Sequence, residues 1–162
     1  MIWIYIFICL VAAMSALHWL SYFYLKKKVL RGKKWDLNIC CGKTDGGGVN
    51  ADIVKHANVP NFVLVKDVHH LPFRDKQFHI VLCSHTIEHV DNPRAFYEEL
   101  KRVGEEVIVI TPPLWDILAV CNFWAHKWII ISFRKVHKKF PTMIPYPLGF
   151  LYAKLFGQLI KA

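Results

Sequence analysis

From Ile2 to Leu25 the chain carries no charged side chain. At about 1.5 Å per residue, a helix over that run reaches across the roughly 30 Å hydrocarbon core of a bilayer with some tilt. Residues 1–25 therefore read as a transmembrane helix. A cleaved signal peptide places positive charge before its apolar stretch. Here the charge follows, as Lys26, Lys27, Lys28, Arg31, Lys33 and Lys34. Residues 26–34 form a basic juxtamembrane linker, and the positive-inside rule puts the rest of the chain in the cytoplasm. Trp3 and Tyr5 at one end, and Trp19, Tyr22 and Tyr24 at the other, suit the two membrane interfaces.

The formal net charge of +9 raises the question of a nucleic-acid partner, and its distribution argues against one. Residues 26–34 carry six bases and no acid, and residues 117–162 carry seven bases and no acid. Residues 35–116 hold eight bases against twelve acids, a net charge of −4. The basic excess thus lies in two flanks, one of them beside the expected span, where it fits membrane lipid at least as well as a phosphate backbone. Nucleic acid is discounted as the main partner.

Five cysteines with no CxxC spacing, in a domain expected to face the cytoplasm, read as free thiols. His85 and His89 stand four residues apart, yet no further His or Cys stands at ligand spacing, and Glu88 before His89 does not complete HExxH. No metal site is expected on that pattern.

Residues 35 to 111 alternate short apolar runs with turn residues. "WDLNICC", "VNADI", "NFVLVKD", "FHIVLCS" and "EVIVIT" are five expected strands. Between the last two, Asp91 or Asn92 can cap a helix with Pro93 in its first turn. Phe96, Leu100 and Val103 fall on one face of it, Glu98 pairs with Arg102, and Gly104 ends it. Near-continuous apolar strands with crossovers predict an α/β fold with a mostly parallel sheet. In such a sheet ligands bind beyond the carboxyl ends of the strands. The residues expected there are Gly42 with Gly46, Gly47 and Gly48 after the first strand, then Asp52, Asp67, Ser84 with His85, and Thr111 with Pro112. By pattern alone Asp52 and Asp67 read equally as turn formers or as acceptors for a ligand.

The text "LNICCGKTDGGGVNADI", then "VKDVHHLPFRDKQFHIVLCSHTIEHVDNP", then "GEEVIVITPP" resembles the class I, seven-strand S-adenosylmethionine-dependent methyltransferases, in their compact "methyltransferase type 11"-like branch. The resemblance covers residues 36–113, about half of the 162 residues, and its most specific part runs from "LPF" to "EHV". It implies a Rossmann-like, doubly wound, mostly parallel sheet, here truncated and carrying an N-terminal transmembrane helix, with S-adenosylmethionine as cofactor. Carried over by position, backbone at Cys40, Cys41 and Gly42 lines the methionine end of the cofactor, and Asp52 holds the ribose hydroxyls. Asp67 with Val68 meets the adenine edge, Leu71, Pro72 and Phe73 either close over the base or form a proline-aromatic turn packed on the core, and Ser84 and His85 lie along the substrate side. Glu88 and His89 sit in the family's "EH" step with a structural hydrogen-bonding role. Methyl transfer from a sulfonium asks mainly for in-line placement, so an obvious base is not required.

Three departures from the family pattern stand out. Cys40 replaces the first loop glycine, His79 replaces an aspartate, and about eight residues join the first two strands, too few for a helical crossover. Cysteine at position 40 can line a cofactor by its backbone provided its φ is negative. Two functions follow. One is a membrane-anchored methyltransferase acting on a small-molecule, hydrophobic or lipid-like acceptor; the other is a catalytically inactive scaffold of the same fold. The core is expected over 35–113 and an apolar, basic segment over 114–162. Within that segment "LWDILAVCNFWAHKWIIISF" reads as an interfacial helix followed by a strand. "PYPLGFLYAKLFGQLIKA" reads as a helix bearing Phe150, Leu151, Leu155 and Leu159 with Lys154 and Lys161, either interfacial or packed on the core.

Overall fold

A computed structural model describes residues 1–32 and 35–157. Lys33 and Lys34 of the basic linker, and Leu159 and Lys161 of the last expected helix, lie outside the described residues.

The chain opens as helix α1 (Ile2–Trp19), continues through a π-helical stretch (Leu20–Leu25) and runs on as α2 (Lys26–Gly32). The residues expected to form a juxtamembrane linker are therefore helical as far as Gly32. Strands β1 (Trp35–Ile39), β2 (Gly47–Asp52), β3 (Phe62–Leu64) and β4 (Phe78–Ser84) follow, then α3 (Pro93–Val103) and β5 (Gly104–Ile110). The remainder comprises α4 (Ile117–Val120), β6 (Trp128–Ile130), β7 (Val136–His137), β8 (Met143–Pro145) and α5 (Pro147–Phe156). The main sheet has the order β3-β2-β1-β4-β5-β7, parallel except for the edge strand β7, and β6 pairs with β8 in a separate antiparallel ribbon. This is the mostly parallel, Rossmann-like sheet with flanking helices.

Alternation along β4 and β5 sends Val81, Cys83, Val107 and Val109 to one face, where Phe96, Leu100 and Val103 of α3 complete the main core. Leu82, Ile108 and Ile110 point to the other face, and Val29 and Leu30 of α2 pack there. The membrane-type helix thus supplies, with its last turns, cover that this face of the sheet requires.

α3 begins and ends as its sequence predicts. The Asn92 side chain accepts from Ala95 N, Pro93 opens the first turn and Gly104 follows the last residue. The expected Glu98–Arg102 pair does not form. Glu98 pairs with Arg94 and Lys101, while Arg102 bonds Glu99, Asp75 and the carbonyls of Leu71 and Phe73. Backbone carbonyls on a neighbouring turn redirect the guanidinium, a fact that helix spacing cannot show.

The short β1–β2 connection is solved without a helix. Residues 40–46 run back over β1 until Gly46 O accepts from Trp35 N at 2.8 Å. A Cβ on Gly46 would fall 2.6 Å from Asn38 Cβ, so only glycine lets the backbone lie that close. Beneath it, Asn50 Oδ1 accepts from Gly46 N (2.9 Å) and Asn38 Nδ2 (3.2 Å), and Asn50 Nδ2 donates to Asp45 Oδ1 and Pro60 O. Gly46, Gly47 and Gly48 consequently stand at the amino end of β2 beside Trp35, not on the ligand rim where the sequence reading placed them.

The C-terminal expectations are corrected in part. The apolar run 114–133 holds only the four-residue α4, capped by Asp116, before turns lead into β6. α5 forms as expected, with Leu151 and Leu155 exposed.

Asn50→Ala orphans the buried Gly46 N–H and takes one acceptor from the Asn38 amide, which keeps Thr44 O. It is expected to cost about 2 kcal/mol or more, read as a lower urea midpoint at unchanged slope in the far-UV circular dichroism of the full chain in detergent.

Candidate functional site

At the carboxyl ends of β1 and β2, three residues expected at the cofactor's methionine end meet the expected ribose acid. Gly42, at φ 57°, donates its backbone N–H to Asp52 Oδ2 at 2.8 Å, and Ile53 N donates to Asp52 Oδ1 at 2.7 Å. Cys41 N bonds Ala51 O at 3.2 Å, which ties the loop to the neighbouring strand. Each Asp52 oxygen keeps further lone-pair capacity, so the carboxylate is oriented by two amides and can still accept hydroxyls. Asp52 itself is buried, at 5% exposure.

Cys40 departs from what its sequence position requires. Its φ is +52°, in the left-handed region where the family has glycine, so the proviso of a negative φ is not met. The side chain packs against the main core, and burial with the nearby Asp52 charge pushes its thiol well above the usual range. The same two causes push Cys41 up to about 11. Both stand as thiols at neutral pH and are poor nucleophiles.

On the expected adenine side, Asp67 is exposed and accepts from His70 Nδ1 (2.7 Å) and His69 N (2.8 Å). These bonds hold its carboxyl down at about 2. Val68 packs against the main core. The turn of Leu71, Pro72 and Phe73 is pinned to α3, with Leu71 N on Glu99 Oε1 at 2.7 Å and Phe73 O on Arg102. Phe73 also meets Phe78 edge to face.

Ser84 and His85 end β4. The Ser84 hydroxyl is buried without a hydrogen-bond partner among the described residues. His85, at φ +54°, donates its backbone N–H to Ile110 O at 2.8 Å. Its Nε2 stands 3.3 Å from Lys135 Nζ and its Nδ1 3.4 Å from Glu88 Oε1. Burial pushes His85 down to about 4, against the opposing pull of Glu88, and it stands neutral at pH 7.

Sequence reasoning missed that the N-terminal helix reaches this rim. Ser21 Oγ accepts from buried Lys135 Nζ at 3.0 Å, His18 Nδ1 meets Asp116 Oδ1 at 2.9 Å, and the Tyr22 ring meets His85 at 5.6 Å between centroids. The available signal was His18 and Ser21, two polar residues inside an apolar run. Sequence spacing also did not place His126 beside Glu88 and His89, where the three side chains offer ligand atoms within 4.8 Å of one another. His79 lies apart, paired with Glu105 at 2.6 Å.

The left-handed φ at position 40 makes a thermal ranking testable. Cys40→Gly removes a penalty of about 1 kcal/mol, whereas Cys40→Val adds a β-branch where φ is positive. The melting temperatures should run Gly above Cys above Val, and the reverse order would contradict the strained geometry.

Comparison with known proteins bears on these positions. Residues 45–106 match a family model described as a methyltransferase domain. That segment contains Asp52, Asp67, Val68, Ser84 and His85, while Cys40, Cys41 and Gly42 precede it. No curated protein matches the chain. Similar solved structures include a SAM-dependent methyltransferase from Aquifex aeolicus, at 17% identity and TM-score 0.44, covering 63% of this chain and 72% of that one. A Pyrococcus horikoshii OT3 protein is 20% identical with TM-score 0.43, covering 87% and 81%. The YcgJ protein of Bacillus subtilis is 19% identical with TM-score 0.43, covering 55% and 49%, so the chain spans about half of its length. Residues 45–106, less than half of the chain, are thus similar to a methyltransferase domain, and they lie within a mostly parallel, Rossmann-like sheet.

Proposed function

We propose that this chain is a membrane-anchored S-adenosylmethionine-dependent methyltransferase whose acceptor is a hydrophobic or lipid-like molecule. The domain is held on the cytoplasmic face by a single N-terminal span. The observation that carries this reading is the contact of His18, Ser21 and Tyr22 with Asp116, Lys135 and His85. Helix Ile2–Arg31 is apolar and long enough to cross a membrane, and Ile2, Trp3, Ile4, Tyr5, Phe7 and Ile8 are exposed along it. An acceptor that reaches the rim beside His85 therefore travels along an apolar helix, a route that suits a molecule partitioned into lipid. On the same helical segment Trp19, Phe23, Tyr24, Lys27, Lys28 and Arg31 line an open groove with the aromatic and basic chemistry of a membrane interface.

Within this reading Asp52 orients the cofactor through its ribose, and the backbone of residues 40–42 lines the methionine end. The cofactor supplies a methyl group on a positively charged sulfur. His85, neutral and held against Lys135 and Glu88, shapes the acceptor side of the rim without needing to remove a proton.

One observation favours the alternative of a catalytically inactive scaffold: the non-glycine residue at positive φ in the cofactor loop. Cofactor binding separates the two readings. Titration of S-adenosylmethionine into the detergent-solubilised full chain is expected to saturate. Asp52→Ala should weaken that binding by about 1.5–3 kcal/mol, the worth of hydrogen bonds to a charged group. A folded wild type that binds no cofactor at any accessible concentration would leave the scaffold reading in its place.

The membrane and acceptor parts have their own measurements. Alkaline carbonate is expected to leave the protein in the membrane pellet, and protease added outside should spare residues 35–162. With methyl-labelled cofactor and whole membrane lipid, label should pass into the organic phase. Label confined to water-soluble products would refute the lipid-like acceptor.

A further inference from the structure

Glu88 is fully buried, and both its carboxylate oxygens lack a hydrogen-bond partner. His85 Nδ1 approaches Oε1 at 3.4 Å without hydrogen-bond geometry. An ionised carboxylate in that position is costly unless a cation neutralises it. Ligand atoms of Glu88, His89 and His126 lie within 4.8 Å of one another, with Glu88 and His126 buried. The two imidazole rings meet at 4.8 Å between centroids and 70° between planes.

We propose that Glu88, His89 and His126 form a zinc site that ties the turn after β4 to the segment before β6. The proton on His89 supports this assignment. Its Nδ1 lies 2.7 Å from Ala125 O, and a carbonyl can only accept, so Nδ1 carries a hydrogen and Nε2 is the ring atom by which His89 would ligate an ion. A backbone carbonyl holding the far nitrogen is the usual support for a metal-bound histidine. The two ligand-bearing segments are already registered, since Glu88 O accepts from Lys127 N at 2.9 Å and Trp128 N at 3.1 Å, and Trp128 Nε1 donates to Val90 O at 2.9 Å.

The donor set selects the ion. Magnesium and calcium take oxygen ligands, whereas two imidazoles and one carboxylate suit zinc in a four-coordinate site. A cavity of about 10 Å³ adjoins the donors, lined by Glu88, His126, Pro112, Val120, Trp128 and Ile130. That is about the space of one water molecule, the fourth ligand of such a zinc. Zinc bonds of about 2.0–2.1 Å require the donors to draw inward, and the ion's charge offsets that of Glu88.

The test uses the full chain in detergent, stripped with a chelator and titrated with zinc and cobalt(II). One zinc per chain is expected, with visible cobalt absorption of tetrahedral intensity and a melting temperature that falls when the chelator is present. Glu88→Gln and His126→Asn should each weaken zinc binding at least about 100-fold, beyond the 10–100-fold typical of losing an outer partner, with unchanged circular dichroism. His79→Asn, at an exposed histidine, should bind as the wild type does. A folded wild type without stoichiometric zinc or cobalt overturns the proposal, as does binding that Glu88→Gln leaves intact. Should His126→Asn fail to fold, the near-isosteric Glu88→Gln and the wild-type metal content decide the matter.

Discussion

A parallel sheet has two apolar faces, and each must be covered for the strands to leave water. α3 covers one face with Phe96, Leu100 and Val103. The other face lacks the usual crossover helix because seven residues, 40–46, join β1 to β2. That shortage is met by two substitutes. The returning loop, bonded through Asn38 and Asn50, covers the β1–β2 side, and Val29 and Leu30 of α2 cover Leu82, Ile108 and Ile110. The N-terminal helix is thus part of the fold's core as well as its apolar appendage.

Covering the sheet with that helix brings polar residues to the rim. Its register fixes Ser21 against Lys135, His18 against Asp116 and Tyr22 against His85. Burial pushes Lys135 down to about 8, opposed mainly by Asp116, so the rim beside His85 carries a lysine less basic than an exposed one. The π-helical stretch Leu20–Leu25 includes two of these contact residues, Ser21 and Tyr22. Local departures from α geometry of this kind are common where a helix meets a functional site. Sheet cover and the polar contacts beside His85 therefore share one helical segment.

The cofactor side is more independent. Asp52 is oriented by Gly42 and Ile53 amides, and the turn of Leu71, Pro72 and Phe73 is held to α3 by Glu99 and Arg102. These bonds come from backbone groups at strand ends and from one helix face, within or beside residues 45–106, which match the methyltransferase-domain model. Cys40 keeps the glycine conformation, so the loop retains its path at the expense of local strain.

The sequence by itself determined the features that depend on near neighbours. Asn92, Pro93 and Gly104 bounded α3, short apolar runs between turn residues located β1 to β5, and the charge-free run marked the long first helix. Gly42 and Asp52, ten residues apart, were legible as one site because adjacent parallel strands end side by side. The tertiary structure decided what depends on distant segments meeting. Gly46–Gly48 look like a ligand loop in the text, yet the return path over Asn38 places them at the opposite end of the sheet. Arg102 abandons Glu98 for carbonyls of another turn. His126 joins Glu88 and His89, and His18 and Ser21 reach Asp116 and Lys135, across separations that no local period encodes. Side-chain spacing reports which face a residue occupies, whereas packing of the whole chain decides what that face meets.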